Sequence, residues 1–149
     1  ELTACHLRID ERQMEKMLTA LKRGNMERFA EEYQRILMEL PSCHDLKDEN
    51  SYHMMMLGMC AFLRRDYEVK SNRESGLGRS DICLYAKHDR YPNLILEFKY
   101  TKDEKEDLSE LAGEAIRQIR EKQYDAEMKG KVHYVGLAHC GKKTCVSWE

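Results

Sequence analysis

The chain has no long hydrophobic run, little net charge and no closely paired cysteines, and each absence narrows the class of protein. Its densest apolar stretch, residues 54–63, is much shorter than the ~20 residues that a membrane-spanning helix requires, and it predicts a buried helix instead. No secretory signal precedes it. The first residue is Glu1 rather than Met, which is compatible with a piece of a longer protein.

Charged residues are abundant, but their signs nearly balance. The 149 residues include 25 Lys and Arg and 27 Asp and Glu, which gives a formal net charge of −2. The protein therefore has no overall basic field that would attract nucleic acid, and a site for a polyanion must be a local patch. The length fits one main domain with a substantial core.

The six cysteines include no C-x-x-C pair of the kind that zinc sites use. Without a secretory signal, this pattern favours free, reduced thiols in a cytoplasmic protein. A weaker alternative is a zinc site formed by Cys43, His44, His139, Cys140 and Cys145.

Helical periodicity dominates the first part of the chain. Apolar residues repeat at three- and four-residue spacing after two capping residues, Asp10 and Asn25, and predict two helices that end near Gly24 and Pro41. We expect this helical hairpin to be a linker-like part over residues 1–45. A third helix is predicted at residues 48–65, and its nearly all-round apolar surface is typical of a central helix.

The period then changes to alternation, which predicts strands. We expect strands at 67–71, 80–85 and 94–100, then an amphipathic helix at 107–129, then strands at 131–139 and 144–148. A turn with two glycines, residues 72–79, joins the first two strands. The pattern predicts an antiparallel three-strand meander, a crossover helix and further strands, which is a mixed α/β sheet over residues 46–149.

Three charged residues on the second and third predicted strands suggest a reaction centre. Glu97 and Lys99 lie two residues apart and therefore on one face of a strand, and Asp81 can lie beside them across the hairpin. An acid precedes a lysine at this spacing five times in the chain, so the spacing alone is a weak signal. The alternative to a reaction centre is that Glu97 and Lys99 form only a surface ion pair, which would contribute less than ~1 kcal/mol to stability.

Two converging carboxylates suit a hard divalent cation such as Mg²⁺ or Mn²⁺, which prefers oxygen ligands. Such an ion can lower the pKa of a water molecule and stabilise charge on a phosphoryl oxygen. Lys99 could orient or deprotonate the attacking water, or neutralise the developing charge. The three residues together therefore suggest hydrolysis of a phosphodiester.

Three motifs resemble those of the PD-(D/E)XK nuclease superfamily. They are Gly78-Arg79-Ser80-Asp81-Ile82, Ile95-Leu96-Glu97-Phe98-Lys99 and Ala115-Ile116-Arg117-Gln118-Ile119, the last followed by Lys122 and Tyr124. They occur in order and in the expected elements over about residues 50–148. More narrowly, the chain resembles the nuclease-like domain found C-terminal to bacterial AAA-ATPase-like proteins. The resemblance implies a restriction-endonuclease-like fold.

The resemblance also implies roles for individual residues. Asp81 and Glu97 would bind the metal, Lys99 would be the catalytic lysine, and Gln118 would border the site. Glu49 matches a further metal-binding glutamate of the first core helix, with the residue at position 74 as a weaker match. The alternative for Glu49 is a favourable interaction with the helix dipole.

Four further residues are candidates for contacts with nucleic acid, although scattered basic side chains are usually only solvated. They are Arg73, Arg79, Lys102 and Tyr124. Ser80 stands where the superfamily has a proline, and this departure leaves the neighbouring aspartate in place.

The resemblance implies Mg²⁺- or Mn²⁺-dependent cleavage of nucleic acid, with DNA as the first expectation. The alternative is a catalytically inactive nuclease fold that binds nucleic acid or a partner protein, or that regulates an AAA-ATPase-like domain in the same full-length chain. The intact set of two carboxylates and a lysine favours catalysis, whereas the weak net charge favours the alternative.

Overall fold

The computed structural model describes residues 9–40, 46–74, 79–122 and 128–149, with the side chains of residues 73–74 and 79–80 outside that description. Two antiparallel helices come first, α1 (Glu11–Lys22) and α2 (Met26–Glu39). The side chain of Asp10 caps α1 and that of Asn25 caps α2, as the sequence predicts. Gly24 joins the helices with a φ of +74°, a conformation that glycine adopts without strain.

The third helix is shorter than the sequence predicts. Helix α3 runs over Glu49–Cys60, and a single 3-10 turn, Ala61–Leu63, follows it before the first strand. The helix begins where the Asp48 carboxylate accepts a hydrogen bond from the Ser51 backbone N–H at 2.9 Å. The tighter turn ends the helix ahead of the residues that lead into the sheet.

Five strands form one mixed sheet in the order β1-β2-β3-β4-β5. The pairs β1–β2, β2–β3 and β4–β5 are antiparallel, whereas β3 and β4 are parallel. The predicted meander and crossover are therefore confirmed, and the fold is a mixed α/β architecture of the restriction-endonuclease-like kind. The strands are β1 (Tyr67–Glu74), β2 (Arg79–Ala86), β3 (Asn93–Tyr100), β4 (Val132–Cys140) and β5 (Lys143–Trp148).

Helices cover both faces of the sheet. Helices α1, α2 and α3 pack on the face that carries Leu84, Leu96 and Phe98, and together they form the larger hydrophobic core. Helix α4 (Leu108–Lys122) crosses the other face, where Ile116 and Ile119 pack with side chains of β2 and β3. Residues 128–130 are not helical, so the helix does not extend to residue 129 as expected.

Helix α4 lies unusually close to β4 because position 136 has no side chain. A Cβ atom built on Gly136 would lie 2.3 Å from the Ala112 carbonyl oxygen and 3.0 Å from the Ala115 Cβ atom, both on α4. Gly136 is also the register partner of Glu97 on β3. The glycine therefore allows the helix to approach the sheet directly beside Glu97.

The hairpin of α1 and α2 contributes to the same core as the sheet. The Tyr33 hydroxyl lies 2.6 Å from Nε2 of the buried His139 on β4. The side chain of Gln34 accepts a hydrogen bond from the Thr144 backbone N–H at 3.0 Å and donates one to the Lys142 carbonyl at 2.7 Å. The division of the chain into a linker-like part, 1–45, and a main domain, 46–149, stays a prediction.

Two general features agree with the composition. None of the described helices is long and apolar enough to cross a membrane. The cysteines in the part of the chain that the structure describes, Cys60, Cys83, Cys140 and Cys145, are free thiols.

Candidate active site

The strand register places Asp81 directly opposite Glu97. The two residues are Cα partners in the antiparallel pair of β2 and β3. Their neighbours two positions along, Cys83 and Ile95, pack against α4, so strand alternation puts both carboxylates on the α4 face as well. Asp81 is 1% exposed and Glu97 is fully buried. Two carboxylates thus lie side by side in the interior, beneath a helix.

A lysine from α4 contacts both carboxylates. Lys122 Nζ lies 2.8 Å from Asp81 Oδ2 and 3.0 Å from Glu97 Oε1, and its side chain is 6% exposed. On the other side, the Asn72 side-chain amide donates a hydrogen bond to Asp81 Oδ1 at 2.9 Å. Asn72 can do this because β1 continues past residue 71, where the sequence predicts a turn, and pairs Asn72 with Asp81.

Two buried oxygens at this face have no hydrogen-bond partner among the described residues. They are Glu97 Oε2 and the Gln118 side-chain oxygen Oε1. Gln118 lies one helical turn before Lys122 and hence on the same face of α4. A buried acceptor without a donor is costly, and native proteins show few of them away from binding sites. These two atoms therefore offer acceptors that a ligand with positive charge or donor groups could satisfy.

The charged groups at the site shift one another's pKa values. The pKa of Glu97 is raised to about 7, mainly by burial and also by the nearby Asp81, whereas Lys122 and Lys99 oppose the rise. Burial lowers the pKa of Lys122, but its hydrogen bonds to Asp81 and Glu97 outweigh that effect and the net shift is upward. Loss of the ammonium would leave two acids facing each other in a poorly solvated place.

Lys99, the predicted catalytic lysine, is partly exposed and forms no ion pair with Asp81 or Glu97 among the described residues. Its charge is nevertheless close enough to lower the pKa of Glu97. His139 contacts the Lys99 backbone carbonyl through Nδ1 at 3.0 Å, which ties the end of β3 to β4. The structure therefore places the Lys99 ammonium beside the pair of carboxylates rather than between them.

Glu49 is the first residue of α3 and lies near the end of β3. Burial raises its pKa, and Asp48 adds to the rise, whereas Lys99, a hydrogen bond with the Tyr100 backbone and Lys122 oppose it. No group of three or more His, Cys, Asp or Glu side chains in the described ranges is arranged to hold a metal ion. The structure thus places Glu49 near Lys99 but not in one cluster with Asp81 and Glu97, and its role as a ligand stays a prediction.

The residues predicted to contact nucleic acid lie around this site to different degrees. The backbones of Arg73 and Arg79 belong to the β1–β2 hairpin, one and two positions from the pairing of Asn72 with Asp81. Lys102 is exposed just beyond β3 and lines an open cleft that does not include the carboxylates. Tyr124 lies outside the described residues. Cys43 and His44, part of the alternative zinc site, also lie outside them.

The donors at the site fit a hard divalent cation. Carboxylate and amide oxygens are the ligands that Mg²⁺ and Mn²⁺ prefer, and Mg²⁺ needs few of them because it retains water. Asp81, Glu97 and Gln118 present such oxygens, two of which lack any partner among the described residues. The residues present are therefore suited to the cofactor that the resemblance implies.

The sequence pattern predicts no role for two residues of the site. Lys122 follows the third motif, and its spacing of four residues from Gln118 is the signal that places both on one helix face. Asn72 falls in a stretch that the glycines marked as a turn, and only the longer β1 strand brings it opposite Asp81.

Together, the mixed sheet and the paired buried carboxylates define a nuclease-like α/β domain. The chain belongs to the PD-(D/E)XK nuclease superfamily, whose family model matches residues 47–149 and so covers more than half of the chain. This membership supports a nuclease-like function, and members of the superfamily generally use divalent metal ions and act on nucleic acid. No curated protein matches the chain.

Proposed function

We propose that the protein hydrolyses phosphodiester bonds in nucleic acid, with DNA as the preferred substrate and Mg²⁺ or Mn²⁺ as the cofactor. The supporting observation is the buried pair of Asp81 and Glu97, in which Glu97 Oε2 lacks a partner among the described residues. Burying a carboxylate without satisfying it destabilises a fold, so such an arrangement is expected where a ligand later supplies the missing interaction.

In this proposal Asp81 and Glu97 hold the cation, and Gln118 Oε1 completes the set of protein oxygens at the border of the site. The cation would supply an activated nucleophile at neutral pH and stabilise negative charge on the phosphoryl oxygens. Asn72 orients the Asp81 carboxylate through its hydrogen bond to Oδ1. Both strands are in the middle of the sheet, which gives the carboxylates rigid support.

Lys99 is proposed to act on the reacting groups directly. Its ammonium lies on the same strand face as the Glu97 carboxylate and is not held in an ion pair with either acid. It is therefore available to orient the attacking water or to neutralise the charge that develops on the phosphorane. The contact between His139 and the Lys99 carbonyl fixes the backbone from which this side chain extends.

Binding of the substrate is proposed to rely on local cations, because the net charge is −2. Lys102 is exposed beyond the end of β3, and the backbone positions of Arg73 and Arg79 lie close to Asp81. Phosphate contacts of this kind position a nucleic acid without reading its sequence. An AAA-ATPase-like domain in the same full-length chain stays an expectation from the resemblance.

One observation favours a second candidate, a non-catalytic nuclease fold that binds nucleic acid or a partner protein. The Lys122 ammonium already compensates both carboxylates, as a charge network with a purely structural role would require. The two unpartnered oxygens argue for the catalytic alternative, since a structural network is expected to satisfy its buried atoms.

The test is cleavage of supercoiled plasmid with Mg²⁺ or Mn²⁺, with and without EDTA. We expect cleavage that EDTA abolishes and that Asp81→Ala combined with Lys99→Ala eliminates. The matched control is Asp103→Ala combined with Lys105→Ala, which removes the same two residue types from an exposed loop. Cleavage that survives the Asp81 and Lys99 double substitution would exclude the proposed site.

A further inference from the structure

The four carboxylate oxygens of the site are unequally engaged. Asp81 Oδ1 accepts a hydrogen bond from Asn72, whereas Asp81 Oδ2 and Glu97 Oε1 are both held by the same Lys122 ammonium. Glu97 Oε2 alone has no partner among the described residues. A cation that binds both carboxylates can therefore use the open oxygen of Glu97, but on Asp81 it must share an oxygen with a donor that is now present or replace that donor.

Lys122 is the donor whose departure changes the site most. Among the described residues it is the one donor that contacts both acids, so its removal frees one oxygen on Asp81 and one on Glu97 at the same time. A divalent cation in the same buried place would also repel the ammonium strongly, because the surroundings screen charge poorly. Asn72, by contrast, is uncharged and can keep its hydrogen bond to the other oxygen of Asp81.

The side chain of Lys122 permits such a movement. A flexible four-carbon stem joins its ammonium to the backbone of α4, so the ammonium can leave the two acids while the helix stays in place. The two acids are almost completely buried, and a hydrated cation can reach them only if a covering side chain moves. The Lys122 side chain is the charged cover that the structure shows in direct contact with both.

We propose that Lys122 is a displaceable counter-ion, which occupies the cation position of the site and leaves the two carboxylates when a divalent metal binds. This inference rests on the proposed function, because it takes Asp81 and Glu97 as the metal ligands. Lys122 then makes metal binding weaker than the two acids alone would allow, and it links metal binding to the opening of the site.

The first test follows the accessibility of lysines in the wild-type protein. Mn²⁺ binding is measured by titration calorimetry, and acetylation of each lysine is measured by mass spectrometry with and without saturating Mn²⁺. We expect Lys122 to be protected in the metal-free protein and to react at least about tenfold faster with Mn²⁺, the equivalent of breaking one charge-assisted hydrogen bond. The exposed Lys105 is the control and should react equally in both states.

The second test compares Mn²⁺ affinity in two variants that each remove one positive charge. Lys122→Met should bind Mn²⁺ at least about tenfold more tightly than wild type, which is the effect of losing one charge-assisted competitor. Lys99→Met removes a charge that is near Glu97 but outside the pair, and it should give a smaller increase. Should Lys122→Met fail to fold, the acetylation of Lys122 in the wild-type protein still shows whether the ammonium leaves the acids when Mn²⁺ binds.

The outcomes separate this inference from the proposed function. Mn²⁺ binding to wild type with Lys122 still protected, or an unchanged or weaker affinity of Lys122→Met, would overturn the displacement and leave a metal site intact. Binding to Lys122→Met but not to wild type would show a fixed counter-ion, against both proposals. No binding to either protein would also contradict both, because the acids would then not form a metal site.

Discussion

Replacing Gly136 by alanine should destabilise the protein and disturb the site. The new Cβ atom would lie 2.3 Å from the Ala112 carbonyl oxygen, which is backbone and can move only if α4 shifts away from the sheet. Overpacking a core with a single methyl group costs about 1–3 kcal/mol. Because the contact is with backbone, we expect Gly136→Ala to lower the free energy of unfolding by about 3 kcal/mol, the upper end of that range.

The chain offers a matched control for the same substitution. Gly113 lies within α4, and a Cβ atom there would meet only the Arg117 Nη1 atom at 4.0 Å. Alanine has the higher helix propensity, so Gly113→Ala should raise the free energy of unfolding by about 0.5–1 kcal/mol. The two variants therefore make the same substitution, one at the contact between β4 and α4 and one at a helix position away from that contact, with opposite expected signs.

The assay is urea unfolding followed by circular dichroism, with the free energy taken from the midpoint and slope. Mn²⁺ affinity is measured on the same samples, and Gly136→Ala should change it because the shift of α4 carries both Gln118 and Lys122 away from the carboxylates. A Gly136→Ala protein as stable as wild type, with unchanged Mn²⁺ affinity, would refute the close approach of α4 beside Glu97.

Three further predictions follow from the site and its supports. Lys99→Met should lower Mg²⁺-dependent plasmid cleavage by about 10²–10⁴-fold without loss of Mn²⁺ affinity; a comparable loss of cleavage and of affinity would contradict a role on the reacting groups. Asn72→Ala should weaken Mn²⁺ binding by roughly three- to tenfold, the value of one hydrogen bond to Asp81, and unchanged calorimetric affinity would exclude that role. Burial lowers the pKa of His139 to about 4, against ~6.5 in an unfolded chain, so the unfolded chain binds more protons between these values. The stabilisation that depends on neutral His139 should therefore be complete above about pH 6.5 and fall by about 3 kcal/mol towards pH 4. Because the raised pKa of Glu97 acts in the opposite direction over part of this range, the measurement is the difference in urea unfolding free energy between wild type and His139→Leu, which should fall by that amount; a difference that does not change with pH would contradict it.

Much of the fold was accessible from local pattern. Alternation of apolar residues marked the five strands, and helical spacing with the caps Asp10 and Asn25 marked the first two helices. The meander predicted Asp81 on one strand and Glu97 on the next, and the observed register makes them partners. These features depend on neighbours in the chain or on a single hairpin, which is why a sequence pattern can predict them.

Other features depend on contacts between distant elements. The contact of Lys122 with both acids requires α4 to cross the sheet close to β4, and this approach is set by Gly136 packing under Ala112 and Ala115. No local pattern encodes that crossing. The prediction of a turn at Asn72 was wrong for a different reason. The two glycines after it indicate an early turn, whereas pairing with β2 extends the strand through Asn72.

The most direct test of the central claim is a crystal structure of the protein grown with Mn²⁺ and measured at a wavelength where manganese scatters anomalously. The account predicts an anomalous peak in contact with one carboxylate oxygen of Asp81 and one of Glu97, with the Lys122 ammonium no longer between them. A structure in which Lys122 still bridges both acids, and in which manganese is absent from them, would contradict it.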